Sequence, residues 1–201
     1  MSLAYFRKDI DTAIRTGAVV RTDLLQDGTL FDVTTTVNTR GATTKGIEFA
    51  VRTALSFLPA PLDGFGIDAN FTRMGYAYAP GTALVNSLDG SELPFPGMSR
   101  TARNLALWYE RGPVNARVVY NRRSGYYTGS NDTNSGNPLF VEAAGFLDFK
   151  LQLHLTARLS FAFEAKNLTD AHTLTTAGAI TRPNEYSWSG RRYFLSAGYA
   201  F

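Results

Sequence analysis

Apolar and polar residues alternate with a period of two along most of the chain. Between Leu147 and Thr156 every odd-numbered residue is Leu or Phe, and every even-numbered residue is polar or charged. A two-residue period is typical of a β-strand with one apolar side, because successive side chains point to opposite faces. The same pattern, with some exceptions, predicts strands in segments 3–10, 46–57, 65–72, 104–110, 114–123, 159–166 and 192–201.

The connections between these segments alternate between short and long. The short ones lie at 58–64, 111–113 and 157–158, and the long ones cover roughly 15–29, 79–99, 128–143 and 171–190. About eight strands fit this rhythm if residues 30–57 form one long strand with a bulge near Arg40–Gly41. The chain is therefore predicted to be all-β, with antiparallel strands that run up and down.

Such strands suit either a soluble β-sandwich or a membrane β-barrel segment. In a sandwich the apolar face packs on a second sheet, whereas in a barrel it meets lipid and the polar face lines the lumen. Mid-strand charges of both signs, aromatic residues near strand ends and strictly alternating loop lengths favour the transmembrane barrel. The charged residues of the polar face are Glu48, Arg52, Asp68, Arg117, Arg123, Asp148, Lys150, Glu164 and Lys166.

Composition narrows the class further. The 201 residues are 44% hydrophobic, and the mean hydropathy is −0.13. No run approaches the ~18 apolar residues of a membrane helix, but a transmembrane strand needs only ~10 residues with half of them apolar. The net charge of +3 comes from scattered basic residues, so no nucleic-acid partner is predicted. The absence of cysteine excludes disulfides and thiolate metal sites.

Motifs that carry chemistry are scarce. His154 lies on the polar face, where we expect it to line the lumen, and His172 lies in a loop without a zinc-binding pattern. Neither a G-x-S-x-G nucleophile motif nor a P-loop occurs. The loop at 131–137 resembles a calcium loop but lacks the closing acidic ligand. We therefore expect no enzymatic activity, no cofactor and no metal site.

Contacts with a small ligand are expected on the long loops. Aromatic side chains and Arg give rigid contact area and bidentate hydrogen bonds there. The alternative is that these side chains only pack the loops together. The candidates are Tyr126, Tyr127, Arg182, Tyr186 and Trp188.

Three segments resemble the C-terminal barrel of TonB-dependent outer-membrane receptors: 38–55, 163–171 and 190–201. The first contains Gly46-Ile47-Glu48, similar to a strand start of that family. The second contains Asn167-Leu168-Thr169-Asp170, similar to the family's Asn-Leu-x-Asp near the end of the penultimate strand. In the third, Gly190-Arg191 opens a final strand that ends in an aromatic residue. The resemblance covers essentially the whole chain, which we treat as one barrel domain, 1–201.

The resemblance implies a wall of about 22 strands filled by an N-terminal plug. The chain would then be a fragment, either a truncated reading frame or an excised piece, because plug, TonB box and signal peptide have no counterpart in it. The implied function is active uptake of a siderophore, haem, cobalamin or oligosaccharide through the outer membrane of a Gram-negative bacterium.

The implied partners are the nutrient ligand, outer-membrane lipid, the TonB system (through the N-terminal parts) and the barrel-assembly machinery. Tyr199 and Phe201 would belong to the C-terminal signal that this machinery reads. The alternative is a complete eight-stranded outer-membrane barrel with a structural or adhesive role.

The pairing of the sheet edges distinguishes an open barrel segment from a closed small barrel. A barrel of only about eight strands must fill its interior with side chains, and the polar face has more long cations than carboxylates. We therefore predict an open, curved sheet rather than a closed barrel, in which Ala4–Asp9 does not pair with Phe194–Tyr199.

Overall fold

The structure is a computed structural model that describes residues 1–86 and 88–201; for residues 13, 15–20, 32, 34, 37, 39 and 40 the description is limited to the backbone. This part of the chain is built of β-strands and one short 3-10 helix, Leu62–Gly64. Its residues include no helix with the length and apolar character needed to cross a membrane. The strands are β1 (Ser2–Asp9), β2 (Thr12–Thr22), β3 (Phe31–Arg40), β4 (Ala42–Ala54), β5 (Phe65–Tyr78), β6 (Thr101–Arg111), β7 (Val114–Arg123), β8 (Tyr126–Asn131), β9 (Pro138–Val141), β10 (Ala144–His154), β11 (Leu159–Lys166), β12 (Thr173–Ala177), β13 (Pro183–Ser187) and β14 (Arg192–Tyr199).

Eight strands form the main sheet, in the order β1-β4-β5-β6-β7-β10-β11-β14. Every neighbouring pair is antiparallel. Apart from inserted strands, the spatial order follows the chain order, as in an up-and-down meander. The predicted all-β class, antiparallel order and strand number are thereby confirmed.

Two smaller sheets, here called the loop-borne sheets, continue the main sheet at its long-loop end. The first consists of β2 and β3, and the second has the order β13-β12-β9-β8. They occupy much of three segments that the sequence predicts as long loops, at 15–29, 128–143 and 171–190. Strands β8, β9, β12 and β13 have only four to six residues, whereas β2 and β3 are longer but rich in Thr, so none of these sequences shows a strong two-residue period. In the fourth long segment, 79–99, the described residues are largely irregular and include an isolated bridge between Val85 and Glu92.

Cross-strand register places the apolar residues of the main sheet on one face, here called the apolar face. Phe149 is opposite Val118 on one side and Ala165 on the other, and Ala165 is in turn opposite Tyr193. Similar pairs join the remaining strands, for example Leu107 with Val118. A register slip of one residue would break this continuity, because it would turn a whole strand over.

The predicted long strand at 30–57 is two strands separated by Gly41. The amide of Gly41 donates to the carbonyl of Asp11 at 2.9 Å, and the amide of Ile10 donates to Ala42 at 2.9 Å. A Cβ at Gly41 would lie 1.5 Å from the carbonyl oxygen of Ile10. The interruption therefore lies at the predicted Arg40–Gly41 position, and only glycine tolerates the backbone approach found there.

The main sheet has two free edges in the described part of the chain. β1 pairs with β4 alone, and β14 pairs with β11 alone. The two strands stand at opposite ends of the strand order, so the predicted lack of pairing between Ala4–Asp9 and Phe194–Tyr199 is confirmed. The sheet is open, as a segment of a larger barrel wall would be.

Candidate functional site

Ion pairs cross the polar face of the main sheet. Lys150 Nζ lies 2.9 Å from Glu164 Oε1, on the neighbouring strand. Lys166 Nζ lies 3.8 Å from both Glu164 and Asp148. The predicted mixture of charges is therefore a network between adjacent strands, which leaves little free charge in this part of the wall.

A longer ion pair spans three strands of the polar face. Arg117 Nη2 on β7 lies 3.4 Å from Asp68 Oδ2 on β5, with β6 between them. Asn104 of β6 donates from its amide to Asn70 Oδ1 at 2.7 Å. Side chains of three consecutive strands thus join into one polar surface, which is suited to contact water or a polar plug.

A hollow of about 410 Å³ opens where the polar face meets the loop-borne sheets. We call it the rim hollow. Its polar and charged lining residues include Asn104, Asn121, Arg122, Arg123, Tyr126 and Glu142, and the rest are smaller or apolar. Amide, guanidinium, phenol and carboxylate groups therefore converge on one concave surface, the usual arrangement of a small-ligand site.

Arg123 is the main charged group of the rim hollow. Its guanidinium lies over the ring of Tyr126, 4.0 Å from the ring centroid, a cation–π contact. Nη2 donates to the carbonyl of Gly97 at 2.7 Å, and Nε donates to Ser99 Oγ. These contacts hold Arg123 in place without neutralising it, because no carboxylate among the described residues pairs with it.

The other polar side chains of the hollow are also held in position. Glu142 Oε1 accepts a hydrogen bond from Thr176 Oγ1 at 2.8 Å. Thr176 is 1% exposed, so this bond fixes the carboxylate from inside the loop-borne sheet. Glu142 was not selected from the sequence, because it lies in a predicted long loop. Its position just before the strand that begins at Ala144 was the available signal that its carboxylate lies at the end of the sheet.

The structure distributes the five predicted ligand-contact residues over several environments. Tyr126 lines the rim hollow, whereas Tyr127 is only 5% exposed and packs its ring 5.6 Å from that of Phe140. Arg182 is exposed in the turn that leads into β13. The ring of Tyr186 packs against that of His172 in a tilted contact, with 4.6 Å between ring centroids. Ligand contact by these residues stays a prediction, and Tyr127 also packs the loops together.

Trp188 belongs to a cluster organised by Asn167. Its indole Nε1 donates to Asp170 Oδ1 at 3.1 Å. Asn167 is 3% exposed, and its side chain bonds to the backbone of Ala171 and of Gly190. The Asn-Leu-x-Asp motif thus fixes the turn after β11 and brings the chain leading to β14 against it.

Aromatic side chains mark the short-turn end of β14. Tyr199 and Phe201 make an edge-to-face contact with 5.2 Å between ring centroids. Both rings are largely exposed. Recognition of these two residues by an assembly factor stays a prediction.

The histidines lie apart. His154 ends β10 opposite Ser160, at the short-turn end of the sheet, whereas His172 lies in the connection between β11 and β12. Within residues 1–86 and 88–201, no three His, Asp or Glu side chains gather as a metal-binding group.

An open antiparallel sheet with one apolar face, one charged face and long loops at a single end defines a segment of a β-barrel wall. A model of the TonB-dependent receptor-like β-barrel family matches residues 1–168. The chain belongs to this family, whose members are transport receptors rather than enzymes. A search among curated proteins found no match.

Two solved structures share the fold of the chain. The siderophore receptor PiuA from Acinetobacter baumannii is 16% identical, with a TM-score of 0.63, over 98% of this chain and 25% of its own. A variant of the ferric enterobactin receptor PfeA from Pseudomonas aeruginosa is 19% identical, with a TM-score of 0.60, over 99% of this chain and 28% of its own. The chain thus spans roughly a quarter of the length of the receptors that it resembles.

Proposed function

We propose that this chain is part of the barrel wall of an outer-membrane receptor that takes up a small nutrient ligand with energy from the TonB system. The observation that carries the proposal is the continuous apolar face across eight paired strands, in a chain of the TonB-dependent receptor family. Lipid would cover this face. The ion-paired polar face suits a lumen filled by water or a plug.

Location is tested by fractionating cells that produce the full-length protein. We expect it in the outer-membrane fraction, and we expect detergent to be required to keep it in solution. Because an apolar sheet face cannot stay exposed to water without association, a folded monomer in plain buffer would contradict the proposal.

An anionic ligand, such as a ferric siderophore, fits the rim hollow best among the nutrient classes. Arg123 offers a positive charge without a carboxylate partner among the described residues, and Tyr126 offers an aromatic surface beside it. Siderophore binding by the two structural neighbours supports the same choice.

Ligand class is tested by titrating the full-length protein in detergent with ferric siderophores, haem, cobalamin and oligosaccharides. For the ligand that binds, Arg123→Gln should weaken binding about tenfold or more, since a hydrogen bond to a charged group contributes about 1.5–3 kcal/mol. The matched control is Arg52→Gln, which removes an exposed cation of the polar face outside the hollow. Equal loss in both variants, or none in Arg123→Gln, would reject the rim hollow as the ligand site.

The alternative of a complete eight-stranded barrel requires β1 to pair with β14. The described residues instead leave both as free edges. In a larger wall the free edge of β14 would accept a further strand, and during assembly it is the position where a folding factor would bind by strand addition.

A further inference from the structure

A row of basic side chains crosses the apolar face near the long-loop end of five neighbouring strands. We call it the basic row. It consists of Arg7 on β1, Lys45 on β4, Arg73 on β5, Arg103 on β6 and Arg122 on β7. Arg7 is directly opposite Lys45, and Arg103 is directly opposite Arg122. Arg73 is opposite Ile47, two residues along β4 from Lys45, so the row is continuous from strand to strand.

The basic row lies on the same side of the sheet as the apolar side chains that it borders. We call these apolar side chains of the apolar face the apolar band. Residues two apart in a strand share a face, and the neighbours at that spacing are Tyr5, Ile47, Phe71, Leu105 and Tyr120. Register supports this, because Arg73 is opposite Ile47 and Arg103 is opposite Phe71. The charges therefore form the boundary between the apolar band and the long-loop end.

Four of these cations are exposed and are not ion-paired in the described part of the chain. Within the described residues, Lys45, Arg73, Arg103 and Arg122 form no ion pair and no side-chain hydrogen bond, whereas Arg7 pairs with Asp9 at 3.0 Å. By contrast, Lys150 and Lys166 on the polar face do pair with carboxylates.

Arg103 and Arg122 lie directly opposite each other on neighbouring strands. This arrangement is unfavourable in an isolated sheet, because like charges at opposed positions repel. An external anion would remove this cost.

A hollow of about 660 Å³ accompanies the row on the β1, β4 and β5 side. It is lined by Lys45, Arg73 and Arg100, with Tyr5 and Ile47 beside them and Glu92 as its acidic member. Three cations next to an aromatic and an aliphatic side chain suit a ligand with an anionic head and an apolar tail.

We propose that the basic row binds the phosphate groups of anionic lipids in the membrane leaflet on the long-loop side. The inference rests on the proposed membrane location of the wall. Acyl chains would cover the apolar band, so the phosphates of the same lipids would stand at the height of the row. Arg is suited to this contact because its planar guanidinium forms paired hydrogen bonds to phosphate oxygens.

The test uses the full-length protein in neutral detergent micelles doped with phosphatidylglycerol or phosphatidylcholine, with bound lipid counted by native mass spectrometry. The row variant is K45Q/R73Q/R103Q/R122Q. The matched control is K8Q/R52Q/R158Q/R192Q, which removes four exposed cations outside the row that make no ion pair among the described residues. Heat-modified migration on gels reports whether each variant is folded.

We expect the wild-type and control proteins to prefer phosphatidylglycerol and the row variant to lose that preference. Each basic residue near an anionic surface strengthens binding by about fivefold, so the loss should reach about a hundredfold or more and should shrink at high salt. If the row variant does not fold, the double variant R103Q/R122Q replaces it, with an expected loss of about tenfold or more.

Three results would overturn the proposal. The row variant could bind phosphatidylglycerol as the wild type does, or the control could lose binding equally. Displacement of the lipid by millimolar inorganic phosphate would instead identify a site for free phosphate. A protein that needs no detergent at all would contradict the proposed function, which separates that failure from failure of the basic row.

Discussion

Replacing Asn167 with Ala should destabilise the barrel wall at the turn that follows β11. The Asn167 side chain accepts from the amide of Ala171 at 2.9 Å and donates to the carbonyls of Ala171 at 2.8 Å and Gly190 at 3.2 Å. The residue is 3% exposed, so water does not readily replace these bonds. Its backbone is in the left-handed region, with φ of 56°, which Asn tolerates better than Ala.

The size of the effect follows from these contacts. Each of the three hydrogen bonds contributes about 1 kcal/mol net, and forcing Ala into a left-handed conformation costs about 1 kcal/mol more. Together, the lost hydrogen bonds and the backbone strain should lower the free energy of unfolding of Asn167→Ala by about 4 kcal/mol. Asn167→Gly should lower it by about 1 kcal/mol less, because glycine adopts this conformation without strain.

Urea unfolding of the full-length protein in detergent, followed by tryptophan fluorescence, measures both changes. The control is Asn115→Ala, because Asn115 is exposed and makes one long contact, 3.4 Å, to Glu110. That substitution should stay within about 0.5 kcal/mol of wild type. A similarly small effect of Asn167→Ala would refute the structural role of the Asn-Leu-x-Asp turn.

Two further predictions concern the backbone approach at Gly41 and the loop at 131–137. Gly41→Ala should markedly reduce the folded yield, because the new Cβ would overlap the carbonyl oxygen of Ile10; Gly75→Ala, which meets no atom within 4 Å, is the control, and equal yields would contradict the close approach. Hydrogen bonds from the Ser135 side chain and backbone hold the pKa of Asp132 below 3.8. That stabilisation is present above pH 3.8 and is lost as the pH falls through the lower folded value; hydrogen exchange in the loop should rise there in the wild type, whereas Asp132→Asn should show no such step.

The sequence pattern predicts the main sheet well because one physical factor dominates it. Each strand presents one apolar face, so alternation reports both the strand and its orientation, as in Leu147–Thr156. The strands of the loop-borne sheets cannot be predicted from alternation in this way. Residues of β12 such as Thr175 and Thr176 gain their conformation from partners in β9 and β13, and such tertiary pairing leaves no period in the sequence.

Candidate ligand contacts were harder to predict than the strands. Residue type alone selects Tyr126 and Tyr127 together, although one lines the rim hollow and the other is buried against Phe140. Neighbouring residues in a strand face opposite sides, and the register that decides between them depends on β9. The basic row was detectable in principle, because Lys45, Arg73 and their neighbours interrupt the apolar alternation at the same end of successive strands.

The pairing of β12 with β9 joins two long connections into a single sheet. β8 and β9 belong to the connection between β7 and β10, whereas β12 and β13 belong to the connection between β11 and β14. A change in either connection is therefore transmitted to the other through a shared ladder of hydrogen bonds. Exchanging one of these loops between related receptors would replace half of a sheet, so transplanting specificity requires moving both connections together.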